Sequence, residues 1–131
     1  MIKEEIADII IPIIKSHSEI KLAYLFGSQA DGDPGALSDF DFAFYVDEKD
    51  SKTLHDLKFI LMNEISRTLK TDRVDILMLN LTDSPELKYK IIKDGRLLYS
   101  EEPFRVLIEP RILNEYFDFH ATLSSYQLTK S

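Results

Sequence analysis

Apolar residues recur along this chain with two periods, and the switches between them predict alternating helix and strand. Ile2, Ile6, Ile9, Ile10 and Ile13 trace one helical face, within which Pro12, lacking an N–H donor, is expected to kink or break the helix. The run Leu22-Ala23-Tyr24-Leu25-Phe26 is continuously apolar and stops at Gly27, which reads as a buried strand ending in a turn. From Asp39 to Val46 the alternation is strict. It puts Phe40, Phe42, Phe44 and Val46 on one face and Asp39 and Asp41 on the other. Ser51 reads as the N-cap of a helix reaching about Leu69, with Leu54, Leu57, Ile60, Leu61, Ile65 and Leu69 facing inward. A third strand follows at 73–79. Ser84-Pro85 then opens a helix that Gly95 closes, ahead of a short strand at 96–99.

Past a candidate linker, Ser100-Glu101-Glu102-Pro103, the chain becomes an aromatic-rich tail carrying Phe104, Leu107, Ile108, Ile112, Leu113, Tyr116, Phe117, Phe119 and Leu123, with a break expected at Pro110. Such a tail either caps its own core or docks a partner, since Tyr and Phe are enriched at interfaces. The expected fold is α/β: a small mixed sheet flanked by helices, with a C-terminal helical extension. It forms one domain over 1–131, an α/β core at 1–100 and a helical tail at 101–131.

Composition narrows the function. A chain of 131 residues, 44% hydrophobic, fits one domain with a proper core and leaves no room for a second module. The absence of cysteine excludes disulfides and thiolate metal sites and is compatible with a cytoplasmic setting. A net charge of −7 argues against direct nucleic-acid binding, which calls for clustered Lys and Arg, and favours a basic protein partner. The nearest basic cluster, Lys88-Tyr89-Lys90-Ile91-Ile92-Lys93, is interrupted and reads as a solvated helix face. The apolar N-terminal run is too short to span a bilayer, contains Asp8 and lacks a cleavage site, so no membrane role is expected. His17, His55 and His120 share no metal-ligand spacing and read as surface residues, and the sequence offers no argument for a Ser-His-Asp or Cys-His arrangement.

The chemistry concentrates where the first strand ends. Gly27 permits close backbone approach, and Ser28 adds a hydroxyl and an N–H at the expected start of a short helix, a setting that favours phosphate oxygens. After ten intervening residues come Asp39 and Asp41. Two positions apart on a strand, roughly 6.6 Å between Cα atoms, they can reach one hard cation, and Mg²⁺ held by one or two carboxylates plus substrate phosphates is the natural occupant. Asp75 is the lone acid in an apolar strand. It faces the same metal site if its strand is adjacent, as a ligand of a second ion or as the acceptor of a hydroxyl proton. Otherwise it is a strand-end acid paired with Arg73 or Lys70.

Gly27-Ser28, Gly32, Ser38-Asp39-Phe40-Asp41 and Val74-Asp75-Ile76, in that order and spacing, resemble the minimal nucleotidyltransferase (MNT) fold of the DNA polymerase beta superfamily. More narrowly, the chain resembles the MNT-domain antitoxins encoded beside HEPN-domain toxins. The resemblance implies transfer of AMP from ATP to a tyrosine of a HEPN ribonuclease toxin. Asp39, Asp41 and Asp75 would surround two Mg²⁺ ions, with Asp75 assisting the acceptor hydroxyl, and Gly27, Ser28 and Ser38 would join Asp39 and Asp41 in holding the nucleotide. A hetero-oligomer with the toxin is part of that picture. One position departs from it: Asp31 precedes Gly32, where the family commonly carries a basic residue. The alternatives are an antitoxin that neutralises by binding alone and a stand-alone transferase acting on a small molecule such as an aminoglycoside.

Overall fold

A computed structural model describes residues 3–27 and 40–130. Helix α1 (Lys3–Lys15) leads into β1 (Ile20–Phe26), and β2 (Phe40–Val46) is followed by α2 (Ser51–Leu69) and β3 (Val74–Met78). A 3₁₀ turn (Leu79–Leu81), α3 (Pro85–Asp94), β4 (Arg96–Ser100) and α4 (Phe104–Lys130) complete the chain. The sheet order is β3-β2-β1-β4. The β2–β3 pair is parallel, joined through α2, and the other two pairs are antiparallel. The fold is therefore the expected mixed α/β one.

Both faces of the sheet are covered. On one, Ala23, Leu25, Phe42, Phe44, Val46, Val74, Ile76 and Met78 pack with Ile6, Ile10 and Ile14 of α1 and Leu54, Leu57, Leu61 and Ile65 of α2. On the other, Leu22, Tyr24 and Ala43 pack with Ile91 of α3 and Ile108 and Ile112 of α4. The phenylalanine face of β2 thus lies against α1 and α2, as its alternation predicts. Among the described residues, no helix is long and apolar enough to cross a membrane.

Several local expectations are corrected. Neither Pro12 nor Pro110 ends its helix. Each lies on a solvent face, and the carbonyls deprived of a partner belong to exposed Asp8 and Val106, where water can satisfy them. The N-cap of α2 is Asp50, whose carboxylate accepts from the Thr53 N–H at 3.0 Å, so Ser51 is the first helical residue. Ile60 points outward, because Leu57 and Leu61 already fill the inner stripe. The stretch expected to be a linker is tied down: Ser100 ends β4, the Glu101 N–H donates to the Lys21 carbonyl, and Glu101 pairs with the Lys21 ammonium. The tail is one helix with two kinds of side. Ile108 and Ile112 are buried, while Val106, Leu107 and Phe117 are exposed.

Candidate active site

The sheet register builds the site. Phe26 is the cross-strand partner of Asp41, and Asp41 of Asp75, so these three residues form one row across β1, β2 and β3. Phe26 packs into the α3/α4 side of the molecule, which places both carboxylates on that same face. One row further in lie Tyr24, Ala43 and Leu77, all in the apolar cluster beneath α3 and α4. The helices cover that row and stop short of the next, leaving Asp41 half-buried and Asp75 exposed. Adjacent strands are about 4.8 Å apart, a separation at which two carboxylates repel unless a cation lies between them.

Gly27 completes this edge. Its φ of 75° is open to glycine and strained for other residues. A Cβ there would collide with the Asp41 carboxylate, so the missing side chain is what lets backbone and carboxylate meet. Gly27 also lines a cavity of about 150 Å³, together with Phe26, Leu87, Lys90, Asp94 and Gly95. Gly95 lets α3 come this close, since a Cβ there would strike the Ile91 carbonyl and press on the Leu25 carbonyl at 3.2 Å.

Of the residues expected to form the site, the structure brings together Gly27, Asp41 and Asp75. Ser28, Ser38 and Asp39, together with Asp31 and Gly32, lie outside the described residues. The segment just after Asp39 is anchored to the third strand, the Phe40 N–H donating to the Arg73 carbonyl at 3.2 Å. Among the described residues no three His, Asp or Glu side chains form a metal-binding group. Asp41 and Asp75 nevertheless offer carboxylate oxygens from neighbouring strands on one open face, a donor set suited to Mg²⁺.

Behind the site, Tyr24 is 2% exposed and donates its hydroxyl proton to Glu109 of α4 at 2.5 Å. Glu109 also accepts from Arg105 Nε at 3.2 Å. Burial, and then the hydrogen bond to Glu109, push the Tyr24 hydroxyl well above its ordinary acidity constant. Sequence reasoning missed this link between β1 and α4. A tyrosine inside the apolar run Leu22–Phe26 was the available signal, because a buried hydroxyl needs a partner.

The basic run also divides in a way periodicity did not show. Lys88 is nearly buried and pairs with Glu115 of α4 at 2.7 Å, so it is not part of a solvated face. Lys93 lies over the Tyr89 ring at 5.7 Å, and Lys90 lines the cavity beside Gly27. Two histidines are likewise partnered. His17 meets Glu64 at 3.2 Å, and His120 packs on the Tyr116 ring.

The profile of the family described as polymerase beta, nucleotidyltransferase, matches residues 8–104. The fold is similar to that of a toxin–antitoxin structure with AMP-PNP, at a TM-score of 0.73 and 22% identity, covering 92% of this chain and 94% of that one. It is similar also to the toxin–antitoxin MntA-HepT, at 0.70 and 20%, covering 95% of each chain. A structure from Shewanella oneidensis gives 0.70 at 18%, covering 95% of this chain and 94% of that one. A comparison with curated proteins gave no match.

Proposed function

From the premise that the chain belongs to the polymerase beta nucleotidyltransferase family, we propose that it is an antitoxin that transfers AMP from ATP to a tyrosine of a HEPN-type ribonuclease toxin in the cytoplasm. The observation that carries the transferase reading is the row in which Asp41 and Asp75 stand side by side next to Gly27. The toxin as acceptor is supported by fold similarity to toxin–antitoxin structures, one of them with AMP-PNP, and by a net charge of −7 that suits a basic protein better than nucleic acid.

Asp39 and Asp41 would hold Mg²⁺, with Asp75 free to bind a second ion or to accept a proton. The metal, when bound, supplies neutralisation of the phosphate charge. By family resemblance, Gly27 and Ser28 would offer backbone N–H groups to the outer phosphates, and Ser38 would join them in holding the nucleotide. Asp75 takes the proton of the tyrosine hydroxyl as its oxygen bonds to the α-phosphorus. The bond from that phosphorus to the bridging oxygen breaks, and pyrophosphate leaves. The nucleotide then blocks the toxin's RNA site by bulk and negative charge.

Covalent transfer and simple masking differ after separation. Toxin incubated with this protein, ATP and Mg²⁺ and then purified away should weigh one or more AMP units more, and should stay inactive. Unmodified toxin that regains ribonuclease activity would replace this reading by an antitoxin that acts by binding alone.

A further inference from the structure

A nucleotide polyphosphate at Gly27 would lie among like charges. Asp41 and Asp75 stand in the row beside it, and the sequence from Ser28 to Phe40 contains Asp31, Asp33 and Asp39 but no Lys or Arg. A polyanion there needs a cation from elsewhere in the fold. Most nearby candidates are engaged. Lys88 pairs with Glu115, Lys93 lies over Tyr89, and Arg73 and Arg96 have interactions of their own.

Lys90 is different. It is exposed, has no ion pair or hydrogen bond among the described residues, and lines the same cavity as Gly27 and Phe26. The close approach of Gly95 to the Leu25 carbonyl fixes α3 beside the end of β1, and so fixes where Lys90 starts. Its flexible four-carbon stem ends in a compact ammonium with three donors, a common point-charge partner for phosphate. We propose that Lys90 is a positioning residue for the outer phosphates of a nucleoside triphosphate, contributing from α3 the positive charge that the Gly27–Asp41 segment lacks. Asp94, one helical turn on, lines the same cavity. The inference rests on the nucleotidyltransferase reading and adds to it the residue that distinguishes triphosphate from monophosphate.

Calorimetric titration of the full chain with tripolyphosphate, ATP and AMP, each with Mg²⁺, provides the test. Lys90→Ala should weaken tripolyphosphate and ATP by about tenfold or more, the size of one charge-assisted hydrogen bond, and leave AMP unchanged. Lys90→Arg should restore most of the loss. Lys15→Ala, which removes the same charge from the exposed end of α1, should have no effect. Wild-type affinity in Lys90→Ala, or an equal loss for AMP, overturns the role of Lys90 and leaves the nucleotide site standing. Failure of the wild type to bind either ATP or tripolyphosphate overturns both.

Discussion

The two faces of the sheet have different compositions and do different work. Among the described residues, the apolar cluster against α1 and α2 has seventeen buried members, whereas the one against α3 and α4 has seven. The second face also holds Asp41, Asp75, the Tyr24–Glu109 hydrogen bond and the cavity lined by Lys90. Burial of apolar area is the main favourable term in folding, so one side can supply most of the stability while the other accommodates like charges and an open row. A site with two neighbouring carboxylates is destabilising in isolation. The dense opposite face is what lets the fold tolerate it.

The sharpest break in that comparison is Asp41→Asn. It removes a proposed metal ligand, and transfer should fall about 10³-fold or more, as expected when several kcal/mol of transition-state charge stabilisation are lost. Thermal stability should change little, because asparagine keeps the shape of the half-buried side chain and lessens repulsion with Asp75. A mutant that transfers AMP at the wild-type rate would remove Asp41 from the site. Asp75→Asn refines the assignment: a loss of roughly 10²-fold with ATP affinity kept marks a proton acceptor, and a loss of affinity marks a metal ligand.

Phe44→Ala probes the other face. Phe44 is fully buried, stacked on Phe42 in the cluster against α1 and α2, and truncating such a ring costs about 3–5 kcal/mol. Urea unfolding should show that loss, while the fraction that remains folded should transfer AMP normally. An activity loss exceeding the unfolded fraction would mean that the two faces are coupled.

How much of this was legible in the sequence follows the same division. The α1/α2 face is written in plain periodicity, with isoleucines at helical spacing and phenylalanines at strand spacing, and both patterns meet in one cluster. Pro12 and Pro110 misled because local propensity cannot see that the affected carbonyls face water. Ile60 misled because apolar character alone does not say which side of a helix is full. On the α3/α4 face, Asp75 was readable as an acid out of place. Its neighbour was readable only on the condition that the two strands are adjacent, because register is set by the parallel pairing that puts Asp75 beside Asp41. The run from Lys88 to Lys93 was unreadable for the same reason. Whether a lysine is paired, stacked or available depends on Glu115, Tyr89 and Gly27, which are remote in sequence or set by side-chain placement.

The smallest expected effect lies behind the site, where Tyr24 ties β1 to α4. Tyr24→Phe removes the hydroxyl that donates to Glu109 but leaves Arg105 as a partner for that carboxylate, so the loss near neutral pH should be about 1 kcal/mol. The pH dependence is more diagnostic. The Tyr24 hydroxyl is held well above its ordinary range in the folded protein, by burial first and Glu109 second. Below about pH 10, the unfolded value, tyrosine is protonated in both states and its full contribution is present. Above that, the unfolded chain releases the proton while the folded protein keeps it, so stability falls by at most about 1.4 kcal/mol per pH unit from this one group. Urea midpoints measured at pH 8, 10 and 11 should therefore drop more steeply in wild type than in Tyr24→Phe, and the two curves should converge as pH rises. Parallel curves would show that Tyr24 ionises as readily in the folded protein as in the unfolded chain, and that the hydroxyl is not sealed between β1 and α4.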